Sequence, residues 1–373
     1  MNAKAIFLYC VFLMNAETEA QDISLWKRLV FSSGLDTTGL RWDAAAVKQV
    51  ASLTGYGTRP AHVGHWQIRQ IVDSVDLDIV TNSVMNQGEG WVDQWMSLEP
   101  DFLPYKYLRS YLDSLKSYGF NSDDNRFNII RSALNEYRWL NRISFDTLIV
   151  VNIPSSTLRV ITRQGEQLLF SPVILGQPHT PTPLFGAYVT RIITFPYWNV
   201  PRSIATKELL PKIKRNPAVT LNNLKMQVLD SKGKVLDPSS IDWKTLSSKN
   251  FPYRLRQSTG CDNALGVMKF DLNSPYDVYL HDTNHREFFA GKNHFLSHGC
   301  IRLAKPVELA NLILQQDLFT PSFLETQKIN VPSKVIRLPA AIPIIITYQL
   351  VDPDADHVIR FYPDVYGWQK NKM

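Results

Sequence analysis

Cys300 stands in the run Ser297-His-Gly-Cys-Ile-Arg302, and His281 precedes it by nineteen positions in Tyr279-Leu-His-Asp-Thr283. A cysteine attacks as its thiolate, so it needs a base or a positive neighbour near neutral pH. His281 or His298 could supply one. The backbone amides around Gly299 and Cys300 could stabilise a tetrahedral oxyanion. Glycine at 299 lets the backbone approach a ligand closely. Arg302 falls on the same side as Cys300 if the chain stays extended, where its guanidinium could clamp a carboxylate through two parallel bonds. Nucleophile, base, oxyanion donors and carboxylate reader are the parts of an acyl-transfer site.

Two other readings fit the same residues. His281, His285, His294 and His298 are four of the eight histidines, and with Cys300 they could ligate zinc in a peptidase. His-x3-His spacing is ligand-like on a helix, whereas the glycine-containing, strand-like surroundings here do not favour one. Alternatively, Cys300 is a small core residue and the histidines are surface loop residues.

These residues need elements to hold them. Period-two alternation over 277–281 puts Tyr279 and His281 on one face of a strand and sends Val278 and Leu280 into a core. The β-branched runs 148–153 and 158–161, separated by Pro154-Ser-Ser156, read as a hairpin. Further strands are expected at 168–174, 188–194, 342–348 and 358–362. Pro306 opens a helix over 306–316. Before residue 145 the pattern is helical, at 24–33, 105–118 (stopped by Gly119) and 127–143. Residues 66–90 give no clear pattern. Trp91 and Trp95, one helical turn apart, read as core, as does Trp139. Residues 202–250 are polar and lysine-rich and look like an inserted subdomain. Lys207, Lys212, Lys214 and Lys225 make it basic, which suits a solvated face or attraction to acidic polymers.

The 373 residues are 45% hydrophobic and 20% charged, which excludes a disordered chain. Three cysteines exclude a disulfide scaffold. Forty basic against 34 acidic residues give +6, but they are scattered, so a nucleic-acid stripe is a weak reading. No apolar run is long enough to span a bilayer. Lys4, the apolar stretch 5–13 and Ala16 have the layout of a secretory signal, with export as the expectation. Removing it leaves Cys261 and Cys300 in an oxidising compartment.

The motif Ser297-His-Gly-Cys-Ile-Arg302 with His281 upstream resembles the catalytic signature of the L,D-transpeptidases, the YkuD-type cell-wall enzymes. Pro196-Tyr-Trp-Asn-Val-Pro201, Glu208-Leu-Leu-Pro-Lys212, Asn263-Ala-Leu-Gly-Val267 and Tyr279-Leu-His-Asp-Thr283 are similar to the large YcbB-like branch. Asn135-Glu-Tyr-Arg-Trp-Leu140 and Phe361-Tyr-Pro-Asp-Val-Tyr366 fit it too. The resemblance runs from about residue 98 to the end. With the signal peptide read at 1–16 and the helical scaffold at 17–144, it implies an α+β protein with a mostly β catalytic domain at 145–350. That domain carries a capping subdomain at 202–250, and an extension follows at 351–373. It implies a Cys acyl-enzyme on peptidoglycan stem peptides, with no cofactor and no metal. The partners are then the stem peptides, with other cell-wall assembly proteins left open and no nucleic acid. By motif position Cys300 is the nucleophile and His281 its base. The Asp282 carbonyl orients His281, and the Gly299 and Cys300 amides form the oxyanion hole. Tyr279, Trp198 and Arg302 line the substrate site, and Trp198 fits packing under the insert equally well. His298 would orient the loop that holds Cys300. The same acyl-enzyme resolved by water would make an L,D-carboxypeptidase or cross-link hydrolase.

Two departures stand out. The YcbB-like branch usually carries a peptidoglycan-binding module between the early helices and the catalytic domain, and residues 117–128 leave no room for one. The family pattern before Asn263 usually has Pro-Gly, where this chain has Ser258-Thr-Gly-Cys261-Asp. A free thiol at 261 is the plain reading; a redox pairing of Cys261 with Cys300 is the alternative.

Overall fold

The β-branched runs that follow Thr147 form a sheet, as their side chains favour. The computed structural model describes residues 19–63, 66, 76–116, 124–325 and 331–369. The signal expected at 1–16 and the stop expected at Gly119 lie outside them. The chain divides into two compact units. One takes residues 19–61, 76–116, 124–144 and 349–362; the other takes 62–63, 66, 145–325, 331–348 and 363–369.

In the helical unit, six helices occur among the described residues: α1 (Glu19–Ser32), α2 (Ala44–Tyr56), α3 (Leu77–Met85), α4 (Trp91–Met96), α5 (Leu103–Lys116) and α6 (Asn125–Asn141). Asp43, Asp76 and Asp124 cap α2, α3 and α6 by accepting backbone N–H groups in the first turn. Trp26, Val47, Val80, Val84, Trp91 and Trp95 pack as one cluster. α2 and α3 have no counterpart in the sequence reading. α3 falls in the stretch that gave no clear pattern, and its nine residues offer few periods to detect. Two short antiparallel strands, Val351–Pro353 and Ile359–Phe361, belong to this unit. The buried Tyr137 hydroxyl of α6 donates to Asp352 at 2.8 Å. The stretch 351–373, expected as one extension, is thus shared: 349–362 joins the helices and 363–369 joins the sheet.

The second unit is mostly β, so the chain as a whole is α+β, with helices first. Its strands are β1 (Thr147–Asn152), β2 (Thr157–Thr162), β3 (Gln167–Gly176), β4 (Phe185–Thr194), β5 (Trp198–Asn199), β6 (Met226–Leu229), β7 (Val235–Leu236), β8 (Arg254–Gln257), β9 (Met268–Leu272), β10 (Leu280–His281), β11 (Phe295–Ser297), β12 (Ile301–Leu303) and β13 (Lys334–Thr347). Nine of them pair in the order β11-β3-β12-β10-β9-β4-β13-β1-β2 among the described residues. β2 also pairs with β3, so the sheet closes on itself from β3 to β2. Closure leaves fewer open edges. β1 and β2 form the expected hairpin. β13 loses register between Arg337 and Ile342, where Pro339 has no N–H for the ladder. Gly186 of β4 lies so close under the Trp66 indole that a Cβ there would overlap the ring.

The insert has its own sheet and its own core. β5, β8, β6 and β7 pair in that order, and Leu210, Ile213, Leu221, Val228, Trp243 and Leu255 bury a common cluster. Trp198 pairs with Gln257, so the subdomain reaches from 198 to 257 rather than 202 to 250. Its helical stretch widens to a π turn over Ala205–Leu209. Pro211 follows and cannot donate the bond that a regular helix would use there.

Candidate active site

Three neighbouring strands set one row of side chains. His281 of β10 pairs with Lys269 of β9 on one side and with Arg302 of β12 on the other. Residues opposite one another in a sheet share a face, so the imidazole lies between two cations. Leu280 takes the opposite face and is fully buried. The register therefore fixes the histidine's setting.

His281 is 4% exposed. Its Nδ1 lies 2.5 Å from the Asp282 carbonyl oxygen. Nδ1–H donates there, which leaves the lone pair on Nε2. Burial, followed by Arg302 and Lys269, pushes the ring down to about 3, against the pull of the carbonyls of Asp282 and Leu265. The imidazole is neutral over the whole physiological range. The Asp282 carboxylate is also buried, and it accepts from Val267 N–H at 3.0 Å and pairs with Arg286. Burial raises its pKa despite Arg286. Gly266, at φ +62, would drive a Cβ into this carboxylate, so the turn before β9 requires glycine.

Cys300 sits in the tight connection between β11 and β12 and is half-buried. Ser297 organises that connection. Its hydroxyl donates to the Cys300 carbonyl at 2.6 Å and accepts from Gly299 N–H at 3.0 Å. Gly299 has φ +110, open to glycine and strained for other residues. Its amide, expected to serve an oxyanion, is thus engaged by Ser297. Cys300 N–H, by contrast, has no protein partner among the described residues. Burial raises the thiol's pKa, and Tyr279, Lys269 and Arg302 act against it. The Sγ lies 3.9 Å from the Asp277 carbonyl.

Tyr279 precedes β10 and accepts Ile301 N–H on its carbonyl at 3.1 Å. Its ring lies 5.7 Å from that of His281, and its hydroxyl interacts with Cys300 and with Trp198. Trp198 is partly buried and packs against the core of the insert. Tyr279, His281, Cys300, Trp198 and Arg302 therefore share one neighbourhood. Asp277–Tyr279, expected as strand, lie outside β10. His298, expected to orient the Cys300 loop, has its Nε2 2.9 Å from Glu208 in the π turn of the insert.

Lys269 belongs to none of the motifs legible in the sequence. Its Nζ lies 4.1 Å from the centre of the Tyr279 ring and 2.5 Å from Asp271, which also pairs with Arg191. The signal was present: Lys269 is a lone cation between Met268 and Phe270, both fully buried on the other face.

The residues of the zinc reading have separate partners. His285 faces Glu287, His294 faces the Phe289 carbonyl and His298 faces Glu208. Among the described residues, no group of three or more His, Cys, Asp or Glu is placed to hold a metal ion. Cys261 and Cys300 are both free thiols, and Cys261 Sγ lies 3.5 Å from Asp262 Oδ1. No helix among the described residues is long and apolar enough to cross a membrane.

A Haemophilus influenzae protein, named provisionally as an L,D-transpeptidase, is 36% identical over 243 residues, covering 64% of this chain and 48% of its own. The chain spans about half the length of that curated relative. The structure of an L,D-transpeptidase from Mycobacterium smegmatis is 17% identical, with 54% of this chain and 58% of that one covered at a TM-score of 0.25. L,D-transpeptidase 3 from Mycobacterium tuberculosis is 11% identical, with 54% and 61% covered, also at 0.25. Residues 146–332, which contain His281, Cys300 and Arg302, match the YkuD family, described as the L,D-transpeptidase catalytic domain, and the chain belongs to that family.

Proposed function

We propose that this protein is a periplasmic L,D-transpeptidase of the YcbB-like branch that forms or remodels peptidoglycan cross-links through an acyl-enzyme on Cys300. The observation that carries the reading is the buried His281, fixed by the Asp282 carbonyl and paired in the sheet with Arg302, in the same neighbourhood as Cys300. The separately cored insert at 198–257 supports the assignment to that branch.

The chemistry follows from the parts. A neutral imidazole accepts the thiol proton at Nε2 as Sγ attacks, so no standing imidazolium is required. The target is the carbonyl of the third residue of a tetrapeptide stem. The Sγ–C bond forms, and the developing oxyanion takes Cys300 N–H as a donor. The amide C–N bond breaks, and D-Ala leaves with the proton returned by His281. The side-chain amine of a second stem then attacks the thioester and releases Cys300. Arg302 presents a planar fork to a stem carboxylate. Tyr279 and Trp198 form the wall beside the thiol.

The test is incubation with disaccharide-tetrapeptide muropeptides and mass analysis of products, with Cys300→Ala alongside. Dimers joined through third residues, absent with the variant, are expected. Trimmed tripeptides alone would make it a carboxypeptidase. No Cys300-dependent product would overturn the reading.

A further inference from the structure

The nucleophile's loop is held from outside the row of β9, β10 and β12. Thr182 is fully buried. Its hydroxyl donates to the Gly299 carbonyl at 2.9 Å and accepts from Gly176 N–H at 2.9 Å. Thr180 supplies a second hydroxyl to the neighbouring Ser297 carbonyl at 3.3 Å. The loop 177–182 therefore grips two nearby carbonyls, of Ser297 and Gly299, in the segment that presents Cys300. Gly176 is where this loop folds back, and a Cβ there would overlap the Thr180 carbonyl and Thr182 amide.

That loop is itself held by one residue distant in sequence. The Tyr366 hydroxyl donates to the Gly176 carbonyl at 2.6 Å and accepts from Thr182 N–H at 3.3 Å. It spans the two ends of the 177–182 loop. Tyr366 is fixed in turn. Its N–H donates to the Tyr348 hydroxyl at 2.8 Å, and Tyr348 donates to Asp364 at 2.6 Å. Asp364 also accepts from the N–H groups of Trp368 and Gln369. The Tyr366 ring packs edge-on against Phe295 of β11 at 5.9 Å and against Trp368 at 4.8 Å. The hydrogen bonds run from Tyr366 through Thr182 to Gly299, the residue before the nucleophile.

We propose that Tyr366 and Thr182 are positioning residues: they brace the 177–182 loop so that Gly299 holds the Cys300 amide toward the site of the developing oxyanion. The carbonyl of Gly299 and the N–H of Cys300 belong to one peptide plane, so fixing the first aims the second. An oxyanion donor acts only if it is already aimed when charge develops. The brace should serve carbonyl addition and have little effect on thiol reactivity as such. It rests on the acyl-enzyme reading above.

Two probes separate those effects without peptidoglycan. With p-nitrophenyl acetate, Cys300 attacks the ester carbonyl, p-nitrophenolate leaves and a thioester remains; the addition passes through an oxyanion. With iodoacetamide, Sγ displaces iodide at a saturated carbon and no oxyanion forms. Full-length Tyr366→Phe keeps the ring and loses the hydroxyl. Its acylation rate is expected to fall on the order of tenfold, a part of what losing a whole oxyanion donor costs, with alkylation unchanged. Thr182→Val should behave alike, and Thr182→Ser should restore acylation. Should Thr182→Val fail to fold, Tyr366→Phe and Thr182→Ser decide. Unchanged acylation in Tyr366→Phe would overturn the proposal, as would a parallel fall of both rates. Failure of the wild type on muropeptides would count against transpeptidation and leave this comparison of rates intact.

Discussion

Arg302 stands directly opposite His281 in the parallel pairing of β10 and β12. A permanent cation beside an imidazole disfavours imidazolium, and burial acts in the same direction. The same cation favours the Cys300 thiolate. One register thus adjusts both members of the proposed pair.

Replacing Arg302 with lysine keeps the charge and removes the planar fork. We expect kcat/KM on tetrapeptide muropeptides to fall about tenfold, as loss of a charge-assisted hydrogen bond would give. The alkylation profile of Cys300 against pH should change little. Equal kcat/KM in variant and wild type would remove Arg302 from substrate binding.

Lys269→Met tests the opposite flank. Loss of the cation should raise the Cys300 pKa, because thiolate loses a stabilising neighbour, and should raise that of His281, because imidazolium loses a repelling one. The midpoint of iodoacetamide alkylation should move to higher pH. A profile superimposable on the wild type would show that Lys269 serves only Asp271 and the Tyr279 ring.

His281 also makes stability depend on pH. Its ordinary value is 6.5, and the fold depresses it to about 3. Between those values the unfolded chain binds a proton that the folded chain refuses, so this contribution is present above about 6.5 and is lost as pH falls. One such group changes stability by roughly 1.4 kcal/mol per pH unit inside the window. Denaturant unfolding at pH 7 and pH 5 should show a smaller difference in His281→Gln than in the wild type. An equal difference would mean that other groups carry the acid sensitivity.

Ser297→Ala removes a hydroxyl bonded to both ends of the Gly299–Cys300 step. The Gly299 amide and Cys300 carbonyl lose their partner, which costs about 1–3 kcal/mol if both stay buried. A lower thermal midpoint is expected, together with slower acylation. An unchanged midpoint would mean that water replaces the hydroxyl at no cost.

Much of the architecture can be read from local pattern. The β1–β2 hairpin follows from two β-branched runs about a Pro-Ser-Ser turn, and the change from helix to sheet near residue 145 follows from the change of period. The closure of the sheet cannot be read locally, because β2 and β3 both pair with partners chosen by long-range packing. The helix α3 is too short for its period to show. In the site, adjacency in sequence shows where Cys300 and His281 stand, but not what flanks them. Lys269 becomes a neighbour of His281 only through the β9–β10 register. His298 meets Glu208 of the π turn, a partner ninety positions earlier in the chain that no local pattern points to. Tyr366 lies 190 positions from Gly176, and no local spacing announces that contact.

The most direct test of the acyl-enzyme is the mass of the intact protein, quenched during reaction with a tetrapeptide muropeptide. A wild-type adduct equal to the donor minus D-Ala, mapped to the Cys300 peptide and absent in Cys300→Ala, is the expected result. The Cys300→Ala protein should keep the wild-type thermal midpoint, because the side chain it shortens is half-buried in a loop. Release of D-Ala with no adduct on Cys300, or release that persists in Cys300→Ala, would contradict the mechanism.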